Sequence, residues 1–132
     1  MSDQPETRKI KLFTDLLAWQ RGHELVLLTY TFTKAFPKQE TYSLVDQMRR
    51  AASSVTANLA EGFGRQGYRE KIQFYYISQG SLTELKDQLL IARDIGYLKG
   101  DDFNVLADKA NETHRLLQGL ITKSKTFLNP KS

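Results

Sequence analysis

Cysteine is absent from the 132 residues of this chain, and so are long uninterrupted apolar runs. Without thiols the chain can form neither disulfides nor thiolate metal sites, so we expect it in a reducing cytoplasm. No apolar stretch approaches the roughly 20 residues that a membrane-spanning helix requires. The N-terminus also lacks the basic-then-apolar order of a secretory signal peptide. Together these absences predict a soluble cytoplasmic protein with no membrane partner.

A recognisable catalytic centre is missing as well. The sequence shows no nucleophile–base pair, no paired carboxylates and no cluster of metal-ligating side chains. Its two histidines, His23 and His114, have no acidic residue three or four positions further along a helix, so packing or capping explains them better than metal binding. We therefore predict no enzymatic activity, no metal and no cofactor.

Basic residues modestly outnumber acidic ones, which gives a formal net charge of +4 and a pI near 9.3. This excess is compatible with a polyanionic partner, although many proteins of similar charge bind none. Cations concentrate near both ends of the chain. Residues 1–12 form a predicted flexible arm that contains Arg8, Lys9 and Lys11. No acidic residue follows Glu112, and the cations after it are Arg115, Lys123, Lys125 and Lys131, the last of which lies in a predicted tail over residues 129–132.

Apolar residues recur with a period of about 3.6 between residues 13 and 128, and no strand-like alternation occurs. This pattern predicts one all-α domain of four helices joined by short connections. Thr14 or Asp15 is a suitable N-cap for the first helix, and Pro37 is predicted to end it.

The second predicted helix carries an apolar face with a polar strip along one edge. Ser43 and Asp46 resemble a capping box at its start, and Gly62 is well placed to follow its last turn. The strip consists of Gln47, Arg50, Ser54, Asn58 and Glu61. We interpret the strip as structural, with Arg50 and Glu61 as hydrogen-bonding partners of a neighbouring helix or subunit and not as catalytic groups.

Residues 62–67 match the pattern GxGxxG letter for letter. A dinucleotide-binding fingerprint of this form must follow a strand and open a helix inside a βαβ unit. Here a predicted helix precedes the glycines and no strand is predicted nearby. We therefore interpret the run as a turn between two helices.

The third helix, predicted from Tyr68 to Ile95, has two apolar sectors. One sector faces the core, and the other contains Ile72, Tyr76, Leu90 and Ile91. Because the outer side of a helix in a monomeric bundle is normally polar, the second sector predicts an interface with another copy of the chain. Gly96 is predicted to end this helix, and Asp101 to cap a fourth helix with one apolar side.

Arg65, Arg69 and Lys71 cluster where the third helix is predicted to begin. The unpaired N–H groups and the dipole of a helix N-terminus favour anions, so this cluster is a candidate phosphate site for RNA or DNA. The alternative is that the cations only solvate the helix surface, with Glu61 and Glu70 nearby to neutralise them.

Several short motifs occur together in an order typical of one family. They are FTDLLAWQ at 13–20, FPK at 36–38, LVDQMRRAA at 44–52, NLAEG at 58–62 and GSLTEL at 80–85. With them, the chain from about Phe13 to Leu120 resembles the four-helix-bundle proteins encoded within intervening sequences of bacterial 23S rRNA genes, also called the S23 family. Met48 and Thr56, where relatives often carry leucine and proline, are mild departures.

The resemblance implies an up-down antiparallel four-helix bundle that assembles as a homopentameric ring with a central opening. It also implies a relation in fold to the accessory variability determinant proteins of diversity-generating retroelements, which are basic pentamers that bind nucleic acid and a reverse transcriptase. The family supplies no catalytic residues. Two functions therefore stay open: an oligomeric protein that binds structured RNA through phosphate contacts, or an adaptor whose oligomer binds a protein partner.

Overall fold

Four α-helices dominate the computed structural model, which describes residues 9–128. They are α1 (Leu17–Thr33), α2 (Leu44–Phe63), α3 (Tyr68–Asp94) and α4 (Gly100–Lys125), with 3-10 turns at Phe13–Asp15 and Lys38–Glu40. No strand occurs within residues 9–128, and the all-α prediction is confirmed. Residues 1–8 of the predicted arm and 129–132 of the predicted tail lie outside the described range.

Each helix packs against its neighbours in the chain, and α4 closes back onto α1. Because the connections are short, consecutive helices run antiparallel and form a four-helix bundle. The core is shared by all four helices, which contribute the fully buried Leu25, Met48, Leu82 and Leu117, among others. Within the described range, no helix is long and apolar enough to cross a membrane. The topology gathers the starts of α1 and α3 and the ends of α2 and α4 at one end of the bundle.

The start of α1 differs from the prediction. The chain first forms the 3-10 turn Phe13–Asp15, and the Asp15 carboxylate accepts hydrogen bonds from the backbone N–H groups of Lys11 and Leu12. Neither Thr14 nor Asp15 therefore caps α1, which follows Leu16 without a side-chain cap. The Asp15 carboxylate thus caps the 3-10 turn that precedes α1, and not α1 itself.

The other helix ends agree with the sequence only in part. Ser43 precedes α2 but makes no capping hydrogen bond; Glu40 Oε1 instead accepts a hydrogen bond of 3.4 Å from the Leu44 N–H. Asp101 lies inside the first turn of α4 and is not its N-cap. Gly96 follows α3 with a φ of 89°, a left-handed conformation that favours glycine, so the predicted end of α3 is confirmed.

Small polar residues allow α2 and α3 to approach closely. The buried Ser78 hydroxyl donates a 2.6 Å hydrogen bond to the Val55 carbonyl oxygen, across the two helices. About one turn further along α3, the hydroxyls of Ser54 and Ser81 lie 2.8 Å apart. Hydroxyls of this size hydrogen-bond across the seam without holding the backbones apart, as larger side chains would.

Gly62 lies at the tightest point of this seam, inside α2 and buried, so the prediction that it follows the last turn is wrong. A Cβ atom added there would lie 2.8 Å from Phe74 Cβ and 2.9 Å from Tyr75 Cε1. Gly64 and Gly67 flank the turn to α3 with ordinary negative φ values. The GxGxxG run therefore covers the last two residues of α2 and the turn to α3, and close packing against α3 is what requires its first glycine.

Replacing Gly62 by alanine should destabilise the protein, whereas replacing Gly67 should not. The Gly62→Ala methyl group overlaps atoms of α3, and such overpacking costs about 1–3 kcal/mol. No atom lies within 4 Å of a Cβ built on Gly67, so Gly67→Ala should change the free energy of unfolding by less than about 0.5 kcal/mol. Urea denaturation at one protein concentration measures both. Equal stability of the two variants would show that the seam has room at Gly62.

Candidate nucleic-acid interface

The three predicted cations lie at the same end of the bundle but in different settings. Arg65 Nη2 lies 3.0 Å from Glu61 Oε2, and its guanidinium is 4.7 Å from the centre of the Phe74 ring. Arg69 is exposed, in the first turn of α3, and has no side-chain partner among residues 9–128. Lys71 is half-buried in the same helix. Arg69 is therefore the most accessible of the three for a ligand.

Lys71 has a structural role as well as a charge. Its Nζ donates a 2.6 Å hydrogen bond to the carbonyl oxygen of Phe63, the last residue of α2. A cation at that position compensates the negative end of the helix dipole. The Nζ also lies 5.2 Å and 5.7 Å from the ring centres of Phe63 and Tyr68. Burial lowers the pKa of Lys71. An ammonium has three N–H donors, so two remain for a ligand.

More cations meet here than the sequence prediction included. We call this the basic end: the part of the bundle formed by residues 9–16, 61–71 and 120–127. Besides the predicted cluster it contains Lys9, Lys11, Lys123 and Lys125. Its acidic side chains are Asp15, which bonds to the backbone, Glu61, which pairs with Arg65, and Glu70. The cations near both chain termini were visible in the sequence, but only the antiparallel topology places them together.

Charges between α1 and α4, by contrast, are paired. Lys109 Nζ lies 2.8 Å from Glu24 Oε1, and Arg21 Nε lies 3.2 Å from Glu112 Oε2. The hydrogen bond from Lys109 lowers the pKa of the Glu24 carboxyl. The middle of the bundle therefore contributes little to the excess of positive charge, which is concentrated at the basic end.

A cleft of about 310 Å³ opens at the basic end between residues 10–16, the α2–α3 turn and the end of α4. Its apolar walls include aromatic rings, and two of them, Tyr68 and Phe127, stack with centres 4.9 Å apart. Lysines lie among these apolar groups. The lining residues are Ile10, Leu16, Phe63, Tyr68, Lys71, Tyr75, Leu120, Lys123, Ser124 and Phe127.

Tyr75 is the deepest aromatic residue of this cleft. It is only 2% exposed, and its ring packs against Gly62. Its hydroxyl makes no hydrogen bond to any of residues 9–128 and is not among the fully buried polar atoms, so it is open to the cleft. Burial raises the pKa of Tyr75 to about 12, so the hydroxyl is protonated at neutral pH. The helical pattern assigned Tyr75 to the core, and no sequence signal distinguished it from an ordinary core tyrosine.

The outer surface of α3 exposes apolar side chains, as the second sector predicted, with one correction. Tyr76, Leu90 and Ile91 are each more than 40% exposed, but Ile72 is 7% exposed and buried within the bundle. Ile72 is therefore not available to another copy of the chain. The structure adds two exposed side chains to this surface, Ile77 on α3 and Ile95 directly after it.

The polar strip of α2 divides into two parts. The Ser54 hydroxyl contacts the Ser81 hydroxyl of α3, whereas Asn58 donates within α2 to the Ser54 carbonyl oxygen. Arg50 and Glu61 instead pair along the chain, with Asp46 and Arg65 respectively, in exposed contacts, and Gln47 is also exposed. In the single chain, neither Arg50 nor Glu61 forms the predicted hydrogen bond to a neighbouring helix within residues 9–128. Exposed pairs of this kind contribute little stability.

His114 faces Lys86 in the groove between α3 and α4. Lys86 Nζ lies 2.9 Å from His114 Nδ1. Since an ammonium only donates, this contact requires a neutral imidazole with its proton on Nε2. Burial, and then the nearby charge of Lys86, lower the pKa of His114. Residues 9–128 contain no group of three or more side chains that could hold a metal ion.

The Lys86–His114 contact predicts that stability falls as the solution becomes acidic. Because the pKa of His114 is lowered by folding, the unfolded chain takes up a proton first as pH drops through the ordinary value near 6.5. Unfolding measured at pH 7.5 and 5.5 should show a smaller loss of stability in His114→Gln than in the parent. His23→Gln, a change at an exposed imidazole stacked on Trp19, should keep the parental loss. An identical pH dependence in parent and His114→Gln would contradict this.

The fold and the surface together define a small four-helix-bundle protein with one basic end. A family model described as 23S rRNA-intervening sequence protein matches residues 14–119, and the chain belongs to this family. The predicted resemblance is thereby confirmed. No curated protein matches the sequence at a significant level.

The solved structures provide a relative with the same fold. It is a protein of unknown function from the S23 ribosomal protein family of Bacteroides thetaiotaomicron VPI-5482. The similarity has a TM-score of 0.73 and 17% sequence identity, and it covers 80% of this chain and 96% of the relative. At this level of identity the similarity supports the fold alone.

Proposed function

We propose that this protein is a non-enzymatic, oligomeric nucleic-acid-binding protein that contacts the phosphates of structured RNA through its basic end. The observation that carries the proposal is the convergence of cations from the N-terminal segment, the α2–α3 turn and the end of α4. Midway along the bundle, Lys109 and Arg21 are neutralised by carboxylates. A localised basic surface is the electrostatic feature that phosphate binding requires.

The geometry at the start of α3 adds suitable donors. Gly67 precedes the helix and provides no side-chain cap, so the backbone N–H groups of the first turn have no capping partner. The exposed Arg69 stands beside them, and Lys71 keeps two N–H donors free. Contacts of this kind depend on the charge and shape of the RNA backbone and do not distinguish one base sequence from another. We therefore expect salt-sensitive binding with little sequence preference.

Arg69 and Lys123 are the cations to change, because neither has a side-chain partner within the described residues and both are exposed. The double variant Arg69→Gln/Lys123→Gln should weaken binding to several unrelated structured RNAs. Its dependence of log affinity on log salt should be shallower by about 0.7–0.9 for each phosphate that the variant no longer neutralises. Fluorescence titrations at several salt concentrations measure both quantities.

The matched control removes the same number of positive charges at the opposite end of the bundle. Lys38→Gln/Lys99→Gln changes two exposed cations there and should leave affinity and salt slope close to those of the parent. If the two double variants weaken binding equally, net charge and not the basic end governs binding. If neither does, RNA binding through this surface is wrong.

We also propose that the chain self-associates, and the family resemblance implies a pentamer. The exposed apolar residues on the outer side of α3 support an interface there. The double variant Tyr76→Asp/Leu90→Asp would place unpaired charges in a dry contact and should dissociate the oligomer. Light scattering gives the mass of each form. An unchanged native mass would remove this surface as the interface.

The same exposed surface supports the second candidate function, a structural adaptor for a protein partner. Ile77 and Ile95 extend the apolar area beyond the predicted stripe, so another protein could bind where a second copy would. Purification at low salt separates the two functions. Co-purifying RNA that is released as salt rises favours RNA binding, whereas RNA-free protein with an intact fold favours the adaptor.

A further inference from the structure

We infer that the cleft at the basic end binds a single unpaired nucleotide of RNA, with the base against the aromatic lining and the phosphate on the lysines. This inference rests on the proposed function, because it names the ligand that the same end of the bundle would take. It is carried by three features of the cleft: its aromatic lining, the Tyr75 hydroxyl and the position of Lys71 and Lys123.

The walls suit a flat ring. Tyr68 and Phe127 already stack on each other at 4.9 Å, and Phe63 lines the same cleft. Nucleobases stack on aromatic side chains irrespective of their identity, which is how many proteins hold single-stranded RNA. The volume of about 310 Å³ lies at the lower end of the range of about 300–1,000 Å³ for small-molecule sites. The cleft is thus of a size for one nucleotide and not for a large cofactor.

The Tyr75 hydroxyl supplies a polar contact at depth. The ring of Tyr75 is buried, but its hydroxyl is not among the fully buried polar atoms and makes no hydrogen bond within residues 9–128, so it is open to the cleft that Tyr75 lines. A neutral phenol both donates and accepts, so it can pair with a carbonyl, amino or ring-nitrogen group on the edge of a base. A ligand with polar groups on its edge would satisfy it, whereas a hydrocarbon would not.

The cations select for an anionic ligand. Lys71 has two unused N–H donors, and the exposed Lys123 of α4 lines the same cleft. Free phosphate would use these lysines but leave the aromatic walls and the Tyr75 hydroxyl unused. An uncharged aromatic compound would leave the lysines unused. A nucleotide uses all three features, which is why we favour it.

The first experiment uses the full-length parent protein and small probes. Adenosine and uridine 5′-monophosphates are titrated and compared with ribose 5-phosphate and inorganic phosphate, by calorimetry or by chemical shifts of the Tyr68 and Phe127 rings. Both nucleotides should bind at least about tenfold more tightly than ribose 5-phosphate, since each base gains a stacking contact. Equal binding of all four probes, or of none, would overturn the inference.

Two variants test the geometry. Tyr75→Phe removes only the hydroxyl and should weaken nucleotide binding about three- to tenfold, the usual effect of one neutral hydrogen bond. Phe127→Ala removes a half-exposed ring beyond the end of α4 and should weaken it about fivefold or more. Tyr42→Phe, at a 94% exposed tyrosine that does not line the cleft, is the control and should have no effect. Unchanged affinity in both Tyr75→Phe and Phe127→Ala would contradict the inference.

Duplex and single-stranded RNA separate this inference from the proposed function. Tyr75→Phe should weaken binding to an unpaired oligonucleotide but leave the affinity for a blunt duplex unchanged, because a duplex offers no free base. If mononucleotides fail to bind while both RNAs bind in a salt-dependent manner, the cleft is excluded and RNA binding stands. If mononucleotides bind through Tyr75 but Arg69→Gln/Lys123→Gln leaves duplex binding unchanged, the cleft stands and the phosphate surface is excluded.

Discussion

The close approach of α2 and α3 is the constraint on which the rest of this structure depends. At Gly62 the backbone of α2 comes so near α3 that a single added carbon would overlap Phe74 and Tyr75. The Ser78 hydroxyl, bonded to the Val55 carbonyl oxygen, holds the seam in register further along. Because Tyr75 packs on Gly62, the same contact that joins the two helices also forms the floor of the cleft.

Lys71 shows how a structural contact and a binding surface can share one side chain. Its hydrogen bond to the Phe63 carbonyl oxygen ties the start of α3 to the end of α2, across the turn. The ammonium is thereby held beside aromatic rings at the mouth of the cleft, with donors left over. Arg65, in contrast, is paired with Glu61 and is less available, although it lies in the same predicted cluster.

Antiparallel packing explains why charge accumulates at one end. Lys71 follows the start of α3, while Lys123 and Lys125 lie at the end of α4, where cations favour the helix dipole. Each arrangement is ordinary for its own helix. Because the helices alternate in direction, these segments meet at one end of the bundle and their positive charges add. Lys109 and Arg21, in contrast, lie midway along the bundle and pair with carboxylates.

The sequence by itself determined the number of helices, the exposed apolar side of α3, the existence of a glycine-rich turn between α2 and α3, and the family, because periodicity, turn chemistry and motif order are local properties of a chain. It did not determine the partners of polar groups: Arg50 and Glu61 pair along the chain, Asp15 caps an earlier turn, and Ile72 is buried. The sequence did not predict the cleft either, because its lining depends on tertiary contacts. Ile10, Tyr75 and Phe127 are far apart in sequence, so only tertiary packing brings them around one cleft.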